Sequence, residues 1–440
     1  MSFQRYQTYK PSGVGWLSEI PARWACLKFR YAFAESQEKI ETEVVGPMLS
    51  VSGYRGIEVK DYDDDNRRRA DEDLAGYRIV RPGQLVVNTM WLNYGGLGVS
   101  EHEGHVSPAY RAYFIKPILD GRYAHHLMRS AAYVAAYTQL LTGVRPNSLQ
   151  MSRDDLMSFP ILVPPLDEQR AIAAFLDRET TKIDALVAEQ ERLIELLKEK
   201  RQAVISHAVT KGLNPDVALK DSGIEHLGAV PSTWEVVGLT KYLQSVVDYR
   251  GRTPTKVEDG VFLVTARNIR NGAIDYSASE EYIAGEEYEA VMSRGKPCVG
   301  DVLFTTEAPL GQVANVDRTD IALAQRIIKF RGESARLDNY FLKYWLMGSF
   351  SQADMEQLAT GSTALGIKGS KVGQLRLCLP PLFEQRAIVA YLDRALNQMD
   401  KLANESRCAL ELLQERRTAL ISAAVTGQID VRPESMRTAA

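Results

Sequence analysis

The sequence has few cysteines, no long apolar run and no excess of positive charge. Its four cysteines, Cys26, Cys298, Cys378 and Cys408, are far apart and form no CxxC pair, which excludes a locally encoded disulfide framework or zinc module. No apolar run reaches the ~18 to 20 residues that a membrane span needs, so we expect a cytoplasmic protein. Because the net charge is −3, bulk positive charge cannot coat nucleic acid, and any DNA binding must use local basic patches or partner proteins.

Several catalytic signatures are also missing. The sequence contains no Asn/Asp-Pro-Pro-Tyr tetrad of an amino-methyltransferase, no nucleophile elbow and no His-Glu-x-x-His. The glycine-rich segment 361–369 is not followed by the Lys-Ser/Thr of a phosphate loop. His125 and His126 have no partners at ligand spacing, so we interpret them as helix residues and predict no metal site.

An internal repeat organises the chain of 440 residues, whose length favours two to four domains. The segment VPPLDEQRAIAAFLDRETTKIDAL begins at residue 163, and LPPLFEQRAIVAYLDRALNQMDKL begins 216 residues later, at residue 379. The same offset relates Asp184 to Asp400 and Arg201 to Arg417. A gapless match of this length indicates duplication.

Each copy of the repeat is predicted to form a long helix. Apolar residues recur at steps of four and three, which is typical of a helix with one apolar stripe. The double proline before each copy suits a helix start, and each helix should run about 40 residues, or roughly 60 Å. The predicted stripes are Ile172, Leu176, Ile183, Leu186, Leu193, Leu197 and Val204, and Ile388, Leu392, Met399, Leu402, Ala409, Leu413 and Leu420. Two such helices should pack on each other.

A second signature opens each half, SGVGWLSEIPARW at 12–24 and SGIEHLGAVPSTW at 222–234. Between each opening and its long helix lie short β-branched and aromatic runs, followed by a helix-rich stretch, so each module should hold a small sheet with helices. Two landmarks are shared, GQLVVNTMW (83–91) with GDVLFTTEA (300–308), and LSVSGYRGI (49–57) with LVTARNIRNG (263–272). Outside them the modules diverge.

In combination these motifs resemble the specificity subunit of type I restriction-modification systems, over nearly the whole chain. The resemblance implies an α+β fold with two target-recognition domains, each followed by a long helix, and the two helices packed as an antiparallel coiled coil. The predicted divisions are 1–163 for the first recognition domain, 164–213 for the central helix, 214–378 for the second recognition domain, 379–430 for the C-terminal helix and 431–440 for a tail.

The resemblance also implies a function without catalysis in this chain. Each domain would read one half of a split, asymmetric DNA site, and the helix pair would set the unread gap. The implied partners are double-stranded DNA, two methyltransferase subunits and two restriction subunits, and the implied S-adenosylmethionine, ATP and Mg belong to those partner subunits. A structural scaffold that clamps other proteins and a methyltransferase or nuclease acting alone are the competing hypotheses.

Candidate DNA contacts are side chains able to pair with bases or phosphates near predicted loops. In the first module they are Tyr54, Arg55, Arg67, Arg68, Arg69, Asn88, Arg145 and Asn147. In the second module they are Tyr249, Arg250, Arg252, Thr253, Arg267, Asn268, Lys368 and Lys371. Arg67 to Arg69 follow four aspartates and also fit an exposed, charge-balanced loop, and Arg145 and Asn147 fit turn chemistry equally well.

The acidic and amide residues after each double proline could be mistaken for a catalytic set. Their position at a helix start favours capping and docking of a partner subunit. The docking candidates are Glu168, Gln169, Arg170, Glu384, Gln385 and Arg386.

Overall fold

The protein was analysed as a computed structural model that describes residues 3–53, 56–61, 74–143, 149–249, 254–361 and 365–433. The chain divides into two compact units, Met1–Gln190 with Cys408–Ala440, and Glu191–Arg407. Each unit thus contains one module and a part of both long helices. Residues of both long helices complete the core of each module.

The first unit contains twelve strands in its described part. They are β1 (Tyr9–Val14), β2 (Leu17–Pro21), β3 (Ala25–Lys28), β4 (Phe33–Glu35), β5 (Leu49–Ser52), β6 (Gly56–Val59), β7 (Arg78–Val80), β8 (Leu85–Asn88), β9 (Leu97–Val99), β10 (Gly104–Val106), β11 (Tyr110–Ile115) and β12 (Pro160–Val163). Its short helices are α1 (Phe29–Ala32), α2 (Gly121–Arg129), α3 (Ala131–Leu140) and α4 (Arg153–Ser158).

The second unit contains the remaining described strands. They are β13 (Leu219–Asp221), β14 (Ala229–Pro231), β15 (Glu235–Gly238), β16 (Leu243–Asp248), β17 (Lys256–Val257), β18 (Val261–Val264), β19 (Ile269–Arg270), β20 (Ala273–Ile274), β21 (Tyr282–Ile283), β22 (Val302–Thr305), β23 (Val313–Asn315), β24 (Ile321–Leu323), β25 (Ile327–Gly332) and β26 (Arg376–Leu379). Its short helices are α6 (Tyr288–Val291), α7 (Asn339–Met347), α8 (Ser349–Leu358) and α9 (Gly369–Val372).

The two long helices are α5 (Leu166–Lys211) and α10 (Leu382–Val425), of 46 and 44 residues. Each begins two residues after the first proline of its double proline, as predicted. None of the helices in the described part has an apolar stretch long enough to cross a lipid bilayer.

The modules share one sheet topology, which confirms the duplication. The first has a four-stranded antiparallel sheet in the order β4-β11-β8-β9, and the second has β16-β25-β22-β23. A two-stranded ladder beside each long helix also recurs, β3 with β12 and β15 with β26. The second module adds a four-stranded sheet, β17-β21-β18-β24.

Each core closes against both long helices. In the first unit Ile172, Ala173 and Leu176 of α5 and Ala424 and Val425 of α10 join one cluster of buried residues around Trp24. In the second unit the cluster around Trp234 contains Ile205, Ala208 and Val209 of α5 and Ile388, Leu392 and Leu396 of α10. The helix ends are therefore integral parts of the module cores.

The packed stripe of the long helices differs from the predicted one at one step. Leu186 and its repeat partner Leu402 are exposed, at 45% and 41%, whereas Val187 is buried at 9%. Buried and half-buried positions follow the series 183, 187, 190 and 194 in α5, and 399, 403, 406 and 410 in α10. The half-buried Gln190 and the buried Ser406 thus lie in this stripe, where a polar residue can fix the register of packed helices.

Candidate nucleic-acid interface

A buried glutamine at the start of each long helix holds the module helix that follows the sheet. The Gln169 amide donates to the carbonyls of Ile118 and Pro164 at 3.0 and 2.8 Å and accepts from the Asp120 N–H at 2.7 Å. Asp120 is the N-cap of α2. Gln385 repeats this pattern, donating to Arg336 and Pro380 at 2.8 Å each and accepting from Asp338, the N-cap of α7.

Glu168 is also engaged inside its unit. It accepts from the Tyr6 hydroxyl at 2.5 Å and from the Trp24 indole N–H at 2.8 Å. Burial of the Tyr6 ring and the neighbouring Glu168 charge raise the pKa of that phenol. Of the six docking candidates, Glu168, Gln169 and Gln385 are buried and make hydrogen bonds within their own unit, and docking by them stays a prediction. Arg170 and Arg386 are exposed, Glu384 is half-buried, and docking by these three stays a prediction.

An aspartate on each long helix makes a second contact with the same module helices. Asp177 pairs with His126 of α2 at 2.7 Å, and its repeat partner Asp393 accepts from the Tyr344 hydroxyl of α7. The hydrogen bond from His126 lowers the pKa of Asp177, outweighing the effect of burial. His125 and His126 are helix residues, as predicted, and the described residues contain no cluster of three or more potential metal ligands.

The long helices are joined in each unit by the same repeated ion pair. In the first unit Arg417 of α10 reaches Asp184 of α5 at 2.8 and 3.3 Å. In the second unit Arg201 of α5 reaches Asp400 of α10 at 2.6 Å. An early position of one helix meets a late position of the other in both cases, so the helices run antiparallel, which confirms that part of the fold prediction.

Most candidate contacts of the first module lie outside the described residues: Tyr54, Arg55, Arg67, Arg68, Arg69, Arg145 and Asn147. Asn88 is described and is 7% exposed. Its side-chain oxygen accepts from the Met90 N–H at 3.2 Å, so its amide shapes the turn after β8. The structure thus gives Asn88 a structural role, and its base contact stays a prediction.

A residue that the sequence did not single out, Arg129, fixes the chain just before Tyr54. Its guanidinium donates to the carbonyls of Ser52, Gly53, Gly95 and Leu97, at 2.6 to 3.4 Å. Burial lowers the pKa of Arg129 to about 10, with a smaller effect from Arg417. No sequence signal marks this role, because the four acceptors come from two distant segments.

In the second module, Arg250, Arg252 and Thr253 lie outside the described residues. Tyr249 is 4% exposed, and its hydroxyl donates to the Gly295 carbonyl. Asn268 is fully buried and satisfied: its oxygen accepts from the Thr265 N–H and hydroxyl, and its amide donates to the carbonyls of Asp275 and Ser279. Both side chains have internal roles in place of the predicted DNA contacts.

Arg267 and Lys368 remain available at the surface. Both are exposed, and Arg267 directly precedes the anchored Asn268. Lys371 is half-buried, and its ammonium donates to the Leu358 carbonyl at 2.9 Å. The hydrogen bonds of Asn268 fix the backbone next to Arg267, so the Arg267 guanidinium is held at the surface. Lys371 instead stabilises the local chain by its hydrogen bond to Leu358.

A buried charge cluster that the sequence did not reveal lies beside Tyr249. Asp301 accepts from Lys329 at 3.1 Å and from Arg331 at 2.6 and 2.7 Å, and both Asp301 and Lys329 are almost fully buried. Burial of the carboxyl works to raise the pKa of Asp301, but the Arg331 hydrogen bonds and the Lys329 charge outweigh it and lower the pKa. The cluster is specific to the second module, because Gln84 occupies the equivalent position after Gly83.

Comparison with known proteins gives one consistent family. The Methylase_S family model, the type I restriction modification DNA specificity domain, matches residues 231–412. The putative type I restriction enzyme MjaX specificity subunit of Methanocaldococcus jannaschii is 25% identical over 297 residues, 65% of this chain and 63% of that protein. The type I restriction enzyme EcoKI specificity subunit of Escherichia coli is 24% identical over 311 residues, 69% of this chain and 64% of that protein. The chain thus spans slightly less than two thirds of these relatives' lengths.

Two solved structures share the fold. A chain from a structure concerned with complex assembly and conformational transition of the type I R-M system has a TM-score of 0.70 at 16% identity, covering 93% of this chain and 99% of that chain. The HsdS subunit from Thermoanaerobacter tengcongensis has a TM-score of 0.50 at 16% identity, covering 93% and 98%. The predicted fold class is therefore confirmed.

Proposed function

We propose that this chain is a specificity subunit of a type I restriction-modification system, which recognises a bipartite, asymmetric DNA sequence and directs methyltransferase and restriction subunits to it. The similarity to the type I specificity domain and to curated specificity subunits supports the proposal. The observation that carries the proposal is that two modules share a four-stranded sheet of the same strand order and differ elsewhere in sequence. Two copies of one reader with different contact residues suit a site whose two halves differ in sequence.

The internal roles of the repeated residues support this division of labour. Gln169 and Gln385, and likewise Asp177 and Asp393, fasten a module helix to a long helix in the same way in both units. The repeated residues therefore hold each module to the long helices in both units. A framework of this kind lets the reading loops change without loss of the fold.

The proposed DNA-binding surface would contact both bases and phosphates. Arg267 and Lys368 are its described, exposed cations, and the candidates beyond the described residues stay predictions. Guanidinium groups pair with guanine edges, and both cations pair with phosphates. Because the net charge is −3, we expect the partner subunits to supply much of the nonspecific affinity.

In this proposal the chain itself is not catalytic. Two methyltransferase subunits with S-adenosylmethionine and two restriction subunits with ATP and Mg would carry out the chemistry. A scaffold that only clamps other proteins would have no use for a separate, divergent module on each helix. A methyltransferase or nuclease acting alone would need one of the catalytic motifs that this sequence lacks.

Methylome sequencing tests the proposal. Cells that express the chain with a cognate methyltransferase subunit should methylate adenine within one split motif, and cells that express the methyltransferase alone should not. Methylation without a defined motif, or the same motif in both strains, would contradict the proposal.

A further inference from the structure

The turn after β8 exposes two aromatic rings. Trp91 is 56% exposed and Tyr94 is 60% exposed, with ring centroids 5.7 Å apart. Of the other four tryptophans, Trp24, Trp234 and Trp345 are at most 1% exposed and Trp16 is half-buried. A paired, exposed Trp and Tyr is typical of a contact surface, since both residue types are enriched at interfaces.

The turn that carries these rings is held in one conformation. Leu92 between them is fully buried, and the Trp91 carbonyl accepts from the N–H groups of Tyr94 and Gly96 at 3.0 and 2.8 Å. A Cβ on Gly96 would lie 2.6 Å from the Trp91 carbonyl oxygen, so the close approach requires glycine. The rings therefore lose little backbone freedom when a partner covers them.

The turn contacts two residues that lie close in sequence to candidate DNA contacts of the first module: Gly53, before Tyr54 and Arg55, and Met151, after Arg145 and Asn147. Arg129 joins it to Gly53, because its guanidinium binds the carbonyls of Gly53 at 2.8 Å and Leu97 at 2.6 Å. On its other side, the Met151 N–H donates to the Thr89 carbonyl at 3.3 Å. Gly53 directly precedes Tyr54 and Arg55 in the sequence.

The second module has no such pair. In the shared landmark Trp91 aligns with Ala308, and Ala-Pro-Leu occupies 308–310. The aromatic turn is therefore a property of the first module alone, as expected for a feature that serves one half-site.

We infer that Trp91 and Tyr94 contact the DNA half-site read by the first module, an inference that rests on the proposed function. Their flat apolar faces suit contact with sugars or with a thymine methyl group, and the indole N–H and phenol hydroxyl can pair with phosphate or base-edge acceptors in the grooves. The occupant is duplex DNA, and Arg129 is the positioning residue that holds the turn to Gly53.

Binding of the cognate duplex to the full chain assembled with its methyltransferase tests the inference. Trp91→Ala and Tyr94→Ala should each weaken cognate binding by about tenfold, within the range found for loss of a specific contact in duplex DNA recognition. Trp91→Phe should retain most of the affinity. Tyr31→Ala is the matched control, because Tyr31 is 59% exposed in the same module and should leave the affinity unchanged.

Two further readouts separate DNA from a protein occupant. When only the half-site of the first module is scrambled in the duplex, the parent and Trp91→Ala should bind the duplex with the same affinity. Tryptophan emission, corrected with Trp91→Phe, should change when duplex is added to the assembled complex and not when methyltransferase is added to the chain. Unchanged cognate affinity of both alanine variants overturns the inference, as does an emission change on methyltransferase addition alone. If the parent assembly methylates no split motif, the proposed function itself fails.

Discussion

At the residue scale, the buried glutamines at the helix starts are expected to matter most for stability. Gln385→Ala removes the acceptor for the Asp338 N–H and the donors to two carbonyls, all of them inside the second unit. Leaving such buried groups unsatisfied should lower the free energy of unfolding by about 2 to 4 kcal/mol. Urea unfolding followed by circular dichroism measures the change.

Arg386→Ala is the control for this variant. Arg386 is exposed and its guanidinium is 4.0 Å from Asp338, so its loss should change the free energy of unfolding by less than about 0.5 kcal/mol. Equal effects of the two substitutions would contradict the role assigned to the glutamine.

His125 should make the first unit sensitive to acid. Burial and the nearby Arg129 lower its pKa to about 3, and its Nδ1 accepts from the Val99 N–H at 3.2 Å, so the folded ring is neutral. The unfolded ring binds a proton below about pH 6.5. Stability should therefore fall as the pH drops from about 6.5 toward 3, by up to about 1.4 kcal/mol per pH unit.

A substitution isolates this contribution. His125→Asn keeps an acceptor for Val99 and removes the titration, so its urea midpoint should decline less than that of the parent between pH 7 and 5. His207 is exposed, so the urea midpoint of His207→Asn should fall between pH 7 and 5 by as much as that of the parent. Parallel pH profiles for parent and His125→Asn would count against this assignment.

At single residues the sequence was a weak guide to contacts. Asn88, Tyr249 and Asn268 have suitable side chains near predicted loops, yet all three are buried with internal hydrogen bonds. Residue type and loop position do not tell whether a polar group faces solvent or caps a turn. Arg129 was missed for the complementary reason, since its acceptors come together only in the folded module.

At the scale of elements, the ion pair between the long helices should stabilise the protein equally when the acidic and basic partners are exchanged. Arg417→Asp places two carboxylates where Asp184 now meets a guanidinium. We expect a loss of about 1 to 2 kcal/mol, because both side chains are partly screened from solvent. The exchanged pair, Asp184→Arg with Arg417→Asp, should recover most of it.

Chemical denaturation of the two single variants and the exchanged pair gives the coupling energy. The equivalent exchange of Arg201 and Asp400 in the second unit serves as an internal replicate. Additive losses in the double variants would show that the pair does not join the helices.

Elements were predicted better than residues, because long periodic patterns average over local detail. Both long helices and their antiparallel packing were predicted, but the stripe was placed on Leu186 where the structure buries Val187. Which of two adjacent apolar residues is buried depends on the register of the two helices, and the periodicity of one helix does not contain that register. The ion pairs at Asp184 and Asp400 supply that register.

At the scale of the whole molecule, the length of the helices is expected to set the gap between the half-sites. Inserting seven residues after Gln190 and seven after Ser406 keeps the contact stripe nearly in phase and adds roughly 10 Å to each helix. The methylated motif should keep both half-sites and gain about three base pairs between them, at 3.4 Å per step. Altered half-sites with an unchanged gap would contradict the prediction that helix length sets the gap.

The duplication was the most predictable property of the molecule, since the offset between the repeats needs no knowledge of packing. What the sequence did not contain was the grouping of each module with parts of both helices. That grouping arises because Ile172 and Val425 in one unit, and Val209 and Ile388 in the other, are needed to close the cores.

Exchange of one module tests the central claim most directly. Residues 222–378 are replaced by the corresponding module of a relative with a different motif, and the methylome of cells carrying the hybrid and its methyltransferase is sequenced. The account predicts that one half-site changes to that of the donor while the other stays the same. A change in both half-sites, or in neither, would contradict the proposal that each module reads its own half of the site.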